Sequence, residues 1–268
     1  MAPDWKAEAI RQWDENPCGS MPGHAFGSPE FFRDVEVERY ENYAPWLKSA
    51  VGFAAFGDKS VLEIGFGLGT DYVQFARAGA RCFGVDLTPT HVFTARARLR
   101  QEGLPVRLVR GDAERLAFRS GTVDAVYSFG VLHHTPGTGV AIDEAHRVLR
   151  PGGEAIVALY HRDSAIFWWS CVLNLGVLRG GFWRDGYRKT LARVEYRAQE
   201  NAIPLVKVYS RRAARRLFHL FASADVSVHH FGFTHAGRLG LLLGRVAGPM
   251  QGAFARWIGW YVMIRARK

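Results

Sequence analysis

VLEIGFGLGTD, residues 61–71, decides the fold: an apolar run breaks into Gly65, Gly67 and Gly69 and then passes into a helical pattern. Glycine permits positive φ and close approach of a ligand to the backbone, and the helix that follows offers unpaired N–H groups. A dinucleotide-binding turn would place its third glycine at position 70, where this chain has threonine. Glu63, just before the first glycine, opposes a pyrophosphate and attracts a cation. Both features turn the reading away from nicotinamide cofactors.

Outward from this turn the pattern alternates. VLEIG (61–65), RCFGVD (81–86), VRLVRGD (106–112), VDAVYSFG (123–130) and EAIVALY (154–160) read as strands, and DYVQFARAGA (71–80), the stretch after Pro89 and AIDEAHRVLR read as helices. Interleaved strands and helices predict a parallel, doubly wound α/β sheet. Ligands of such sheets sit at the carboxyl ends of the strands. The glycine turn, Asp86, Asp112 and the stretch Phe129 to His134 all fall there.

Asp86 can accept hydrogen bonds from both hydroxyls of a ribose, and Asp112 with Ala113 can cover an adenine edge. Together with Glu63 these acids favour a nucleoside with a positively charged tail and no phosphate. At these residues the chain resembles the class I S-adenosylmethionine-dependent methyltransferases, close to the branch of ubiquinone, menaquinone and natural-product enzymes. VLEIGFGLGTD, GVDLTP, GDAERLAF, VDAVYSFGVLHHTP and EAHRVLRPGGEAIVALY carry the resemblance in order.

The resemblance implies a Rossmann-like seven-stranded sheet with its last strand antiparallel, S-adenosylmethionine as cofactor and S-adenosylhomocysteine as product. It assigns Gly65, Phe66, Gly67 and Gly69 to the methionine part, with Glu63 contacting or orienting it. Asp86 would hold the ribose, Leu87 would pack on adenine, Asp112 and Ala113 would flank the base, and Phe129 would lie beside the methyl group.

In-line displacement from a sulfonium needs alignment and exclusion of water, and a base only where the nucleophile must lose a proton. His133 and His134 after the fourth strand, and Tyr160 and His161 after the fifth, are the candidates. No metal is expected: His229 and His230 are adjacent, so they face opposite sides of a strand, and no cysteine or acid is suitably spaced nearby.

Four regions follow. Residues 1–57 form a helical leader, in which Trp13 is placed to close over the cofactor. Residues 58–160 form the core, and residues 161–206, rich in aromatic and basic residues, form a lid. Residues 207–268 supply a helix capped by Ser210, running over 210–221, and two closing strands from DVSVHHF and WIGWYVMIRA.

Of the net charge of +10, residues 1–160 contribute −3 and residues 161–268 contribute +13. The lid and C-terminal segment therefore suit an anionic small-molecule acceptor, or a membrane-borne quinone or sterol-like lipid with Arg211, Arg212, Arg215 and Arg216 on anionic headgroups. A nucleic-acid substrate fits the charge, but no RNA-binding module accompanies it. A non-catalytic cofactor-binding protein on the same fold is the remaining class. Three widely spaced cysteines read as reduced thiols of a cytoplasmic protein. The N-terminus lacks an apolar signal sequence, and LGLLLGRVAG (239–248) is too short and too charged to span a membrane.

Overall fold

The computed structural model describes residues 4–20, 23–195, 203–231 and 251–268. Its centre is a seven-stranded sheet in the order β3-β2-β1-β4-β5-β7-β6. These strands are β1 (Ser60–Ile64), β2 (Arg81–Asp86), β3 (Leu108–Arg110), β4 (Val123–Phe129), β5 (Leu149–Tyr160), β6 (Ser223–His229) and β7 (Tyr261–Arg267). The first five run parallel, and β7 is antiparallel to both β5 and β6.

Period-two alternation splits the core between the two faces of the sheet. In β5, Ile156, Ala158 and Tyr160 join one apolar cluster, while Ala155, Val157 and Leu159 join the other. The first cluster is covered by the leader helix α3 (Leu47–Val51) with α4 (Thr70–Arg77) and α5 (Pro89–Gln101), while the leader helices α1 (Trp5–Glu15) and α2 (Pro29–Val37) precede them and Phe31, Phe32 and Val35 of α2 form a separate small cluster with Leu68. Leader residues Tyr40, Leu47, Phe53 and Phe56 reach Phe75 and Tyr127 there. The second is covered by α6 (Thr138–Val148), whose Ile142 and Val148 pack against the sheet.

Three boundaries differ from the sequence pattern. β5 starts at Leu149 rather than 154, because Leu149 pairs with Val123 before an irregularity resumes the register at Glu154. β3 is only three residues long, so Asp112 lies beyond its end, bridged to Arg115. The helix expected over 210–221 is regular only over α9 (Arg211–Arg216). Its Ser210 cap is present, the hydroxyl accepting from Ala213 N–H, and Ala214, Phe218 and Phe221 are buried.

The segment expected to form a lid contains a widened helix over Ile166–Leu178, then α7 (Gly181–Arg184) and α8 (Gly186–Ala192). Helix α10 (Gln251–Ile258) precedes β7. Residues 239–248 lie outside the described residues, among which no helix is long and apolar enough to cross a membrane. Cys18, Cys82 and Cys171 are all free thiols.

Candidate functional site

The glycine turn links β1 to α4 with positive φ at Gly65, Gly67 and Gly69. A Cβ on Gly65 would meet Val131 Cγ2 at 2.3 Å, so this position has both a conformational and a steric need for glycine. Around Gly67 the space is open. Phe66 departs from its expected role: its ring is buried against Gly84 of β2, in the core, leaving only its backbone at the turn.

Under the turn lies a floor of acids. Asp86 Oδ2 accepts from Gly67 N–H at 2.9 Å, and Oδ1 accepts from Thr88 N–H at 2.9 Å and faces His91 Nδ1 at 3.2 Å. His91 and these hydrogen bonds outweigh burial and hold the Asp86 carboxyl below its usual range. Glu63 is buried, and its Oε2 has no hydrogen-bond partner among the described residues. Burial, with the charges of Asp71 and Asp86, raises its pKa well above the usual carboxylate value.

Asp71, at the start of α4, is the hub that sequence reasoning missed. It accepts from Arg39 Nε at 3.2 Å and Nη2 at 2.5 Å, and from the hydroxyls of Tyr40 and Tyr127, each at 2.7 Å. Arg39 and these bonds hold its pKa low against burial. The Arg39 guanidinium also lies 4.1 Å over the Phe129 ring, whose other neighbours are Trp46 and Tyr261. Arg98, the other arginine by the turn, pairs with Glu36 and Glu102.

The adenine side is occupied by the leader. Asp112 Oδ2 takes Lys6 Nζ at 2.6 Å, Oδ1 accepts from Glu114 N–H, and Glu114 also binds Lys6. Ala113 and Leu87 are half-buried at this edge. Gln12 of α1 is fully buried, and neither of its amide atoms has a hydrogen-bond partner among the described residues.

Beyond the turn, His133, His134 and Tyr160 come together with Glu195 of the lid. The His133 ring lies 3.7 Å from that of Tyr160 and 4.1 Å from that of His134, and Trp13 meets His134 edge-on at 5.5 Å. His134 Nδ1 lies 2.7 Å from the carbonyl of Leu205, so it carries the proton, and Nε2 lies 3.7 Å from Glu195 Oε1. Glu195 lies beside Tyr160, and burial raises the pKa of its carboxyl. Burial pushes His133 well below the usual imidazole value, keeping it neutral.

His161 is not in this cluster. Successive strand residues face opposite sides, and its Nδ1 lies 3.0 Å from the carbonyl of Gly259. His229 stacks on Trp46, and His230 lies beside Tyr43.

Residues 62–157 match a protein-family model described as a methyltransferase domain. The core is thus similar to a methyltransferase domain. Among curated proteins it is 40% identical over 121 residues to erythromycin 3''-O-methyltransferase of Saccharopolyspora erythraea, covering 43% of this chain and 39% of that one. It is 28% identical over 110 residues to a ubiquinone biosynthesis O-methyltransferase of Nitrosococcus oceani, covering 41% and 47%. The chain thus matches less than half the length of these relatives.

Solved structures share the methyltransferase fold over far more of the chain. The [4+2]-cyclase SpnF superposes with a TM-score of 0.58 at 16% identity, over 100% of this chain and 97% of its own. A methyltransferase from Mesorhizobium loti gives 0.55 at 18%, over 85% and 99%.

S-adenosylmethionine is the cofactor this family and fold imply, and the residues of the methyltransferase domain fit it. The floor offers carboxylates rather than phosphate-binding cations, since both nearby arginines are matched by acids. Glu63 Oε2 and the Gln12 amide supply buried polar atoms that have no partner among the described residues.

Proposed function

We propose that the chain is an S-adenosylmethionine-dependent O-methyltransferase acting on the hydroxyl of a largely apolar small molecule bearing an anionic group. The acid floor beneath the glycine turn carries this reading, because it suits a nucleoside with a cationic tail and repels a pyrophosphate. In it, Asp86 receives the ribose hydroxyls, the backbone of residues 65–69 wraps the methionine part, and Glu63 and Gln12 receive its polar groups. Asp112 and Ala113 border the base once Lys6 shares the carboxylate. When bound, the cofactor supplies a methyl group on a sulfonium, open to in-line attack.

The chain's part is to orient the acceptor, exclude water and ease the loss of its proton. The Leu205 carbonyl fixes the His134 tautomer and leaves the Nε2 lone pair facing the lid. That lone pair, with Glu195 and Tyr160, forms the reactive edge of the acceptor pocket. Oxygen as the methylated atom is supported by the relatives named as O-methyltransferases. The +13 charge of residues 161–268 supports an anionic acceptor.

Titration calorimetry of S-adenosylmethionine and S-adenosylhomocysteine against wild type and Asp86→Ala tests the cofactor site. Both should bind wild type, with affinity lowered about a hundredfold in the variant, since a charged hydrogen-bonding group is worth about 1.5–3 kcal/mol. Equal binding by both proteins would remove the reading. A labelled methyl donor then identifies the acceptor.

A further inference from the structure

We infer that His133, His134 and Glu195 form a binding site for a divalent transition-metal ion of the zinc type. One ligand atom from each of the three buried residues lies within 4.8 Å of the others. Two imidazoles and one carboxylate are a donor set for zinc or ferrous iron, and too nitrogen-rich for magnesium or calcium.

The hydrogen bonds support this. Both ring nitrogens of His133 and Glu195 Oε1 have no partner among the described residues. A buried donor or acceptor left in this state costs about 1–3 kcal/mol. At 3.7 Å, His134 Nε2 and Glu195 Oε1 are too far apart for a hydrogen bond. Bonds of about 2.0–2.2 Å from one tetrahedral ion would set two such ligands roughly 3.4 Å apart. A single cation would therefore take one ring nitrogen of His133 together with His134 Nε2 and Glu195 Oε1, with a contraction of a few tenths of an ångström between the last two.

The surroundings are those of a ligand set held ready. The Nδ1–H of His134 donates to the Leu205 carbonyl, the outer bond that metal-ligating imidazoles make. Tyr160 packs on the His133 ring, at 3.7 Å between ring centres. Three protein ligands leave a fourth position open.

The ion's role rests on the methyl-transfer reading. The acceptor's hydroxyl oxygen takes the open position, its proton passes to solvent, and the resulting alkoxide or phenolate is the nucleophile. His134 then serves as ligand, and the metal lowers the hydroxyl's pKa. Because Glu195 comes from the lid and the histidines from the core, the ion also ties the lid shut.

Tag-free, chelator-treated full-length protein titrated with zinc chloride by calorimetry, without cofactor or acceptor, tests the site separately from methyl transfer. Metal content after dialysis is measured by mass spectrometry. One zinc per chain is expected, with affinity lowered more than about a hundredfold in Glu195→Gln and in His134→Ala, beyond the 10–100-fold typical of outer partners. His24→Ala, at an exposed histidine paired with Asp34, should leave binding unchanged. Thermal melts establish folding, and Glu195→Gln, being isosteric, remains informative if His134→Ala does not fold. No stoichiometric uptake, uptake unchanged in Glu195→Gln, or tighter binding of magnesium than zinc would overturn the site. Loss of S-adenosylmethionine binding would leave it standing.

Discussion

At Glu63 function and stability pull in opposite directions. Its carboxyl is buried, its Oε2 has no hydrogen-bond partner among the described residues, and it stands near Asp71 and Asp86, so its folded pKa lies well above the 4.5 of the free group. A raised folded value gives stability that is complete below pH 4.5 and lost as pH rises through the folded pKa. The lowered pKa of Asp71 acts the other way, losing its contribution only as pH falls through its folded value. Glu63→Gln should therefore melt above wild type at pH 7 by several degrees, from about 1–3 kcal/mol at roughly 2–4 °C per kcal/mol. The gap should close as pH falls toward 4.5. The same variant should bind S-adenosylmethionine about tenfold more weakly, having lost a carboxyl that a bound cation would draw into its charged form, a factor of about 1.4 kcal/mol. A pH-independent gap in melting temperature would show that the Glu63 carboxyl has the same pKa in the folded and unfolded states, and would refute the raised value.

At the scale of elements, the β1–α4 junction shows what sequence conveys and what it does not. Gly65 combines a φ of 77° with the Val131 contact, so Gly65→Ala should lose stability twice over. The left-handed backbone costs about 1–2 kcal/mol, and the clash adds about 1–3 kcal/mol. In urea denaturation Gly65→Ala/Val131→Ala should recover the steric share but not the backbone share. Strict additivity of the two single variants would refute the close contact. The glycines, Asp86 and the strand alternation were legible because each depends on neighbours within one βαβ unit. Asp71 was not, since its partner Arg39 stands 32 positions earlier, in the leader. Phe66 stands between two turn glycines, and only the packing of β2 reveals Gly84 as the place for its ring. Spacing likewise hid Glu195, because a lid folding back over the sheet leaves no periodic trace in the sequence.

Across the whole molecule, α1 is fastened along the carboxyl edge of the sheet from two sides. On the core side, Lys6 bridges Asp112 and Glu114, and Asp14 accepts from Thr90 N–H at 2.9 Å. On the lid side, Glu8 accepts from Ile203 N–H, and the Arg188 guanidinium lies 5.6 Å over the Trp5 ring. Trp13 and the buried Gln12 project from the same helix, so the leader covers the edge at which the proposed cofactor site lies. Entry of a nucleoside then requires α1 to lift. Its ties are partly exposed ion pairs and single hydrogen bonds, each worth about 1 kcal/mol or less, so lifting is a low-cost step. Lys6→Met breaks two of the core-side ties while preserving most of the side chain's apolar bulk. In stopped-flow tryptophan fluorescence the variant should take up and release S-adenosylmethionine severalfold faster than wild type. Release should gain more than uptake, because a lifted leader also withdraws Gln12 from the bound molecule. Limited proteolysis should cut the variant's leader sooner than the wild-type leader, with added cofactor narrowing the difference. Identical uptake and release rates in the two proteins would mean that the cofactor enters by a route that leaves α1 in place.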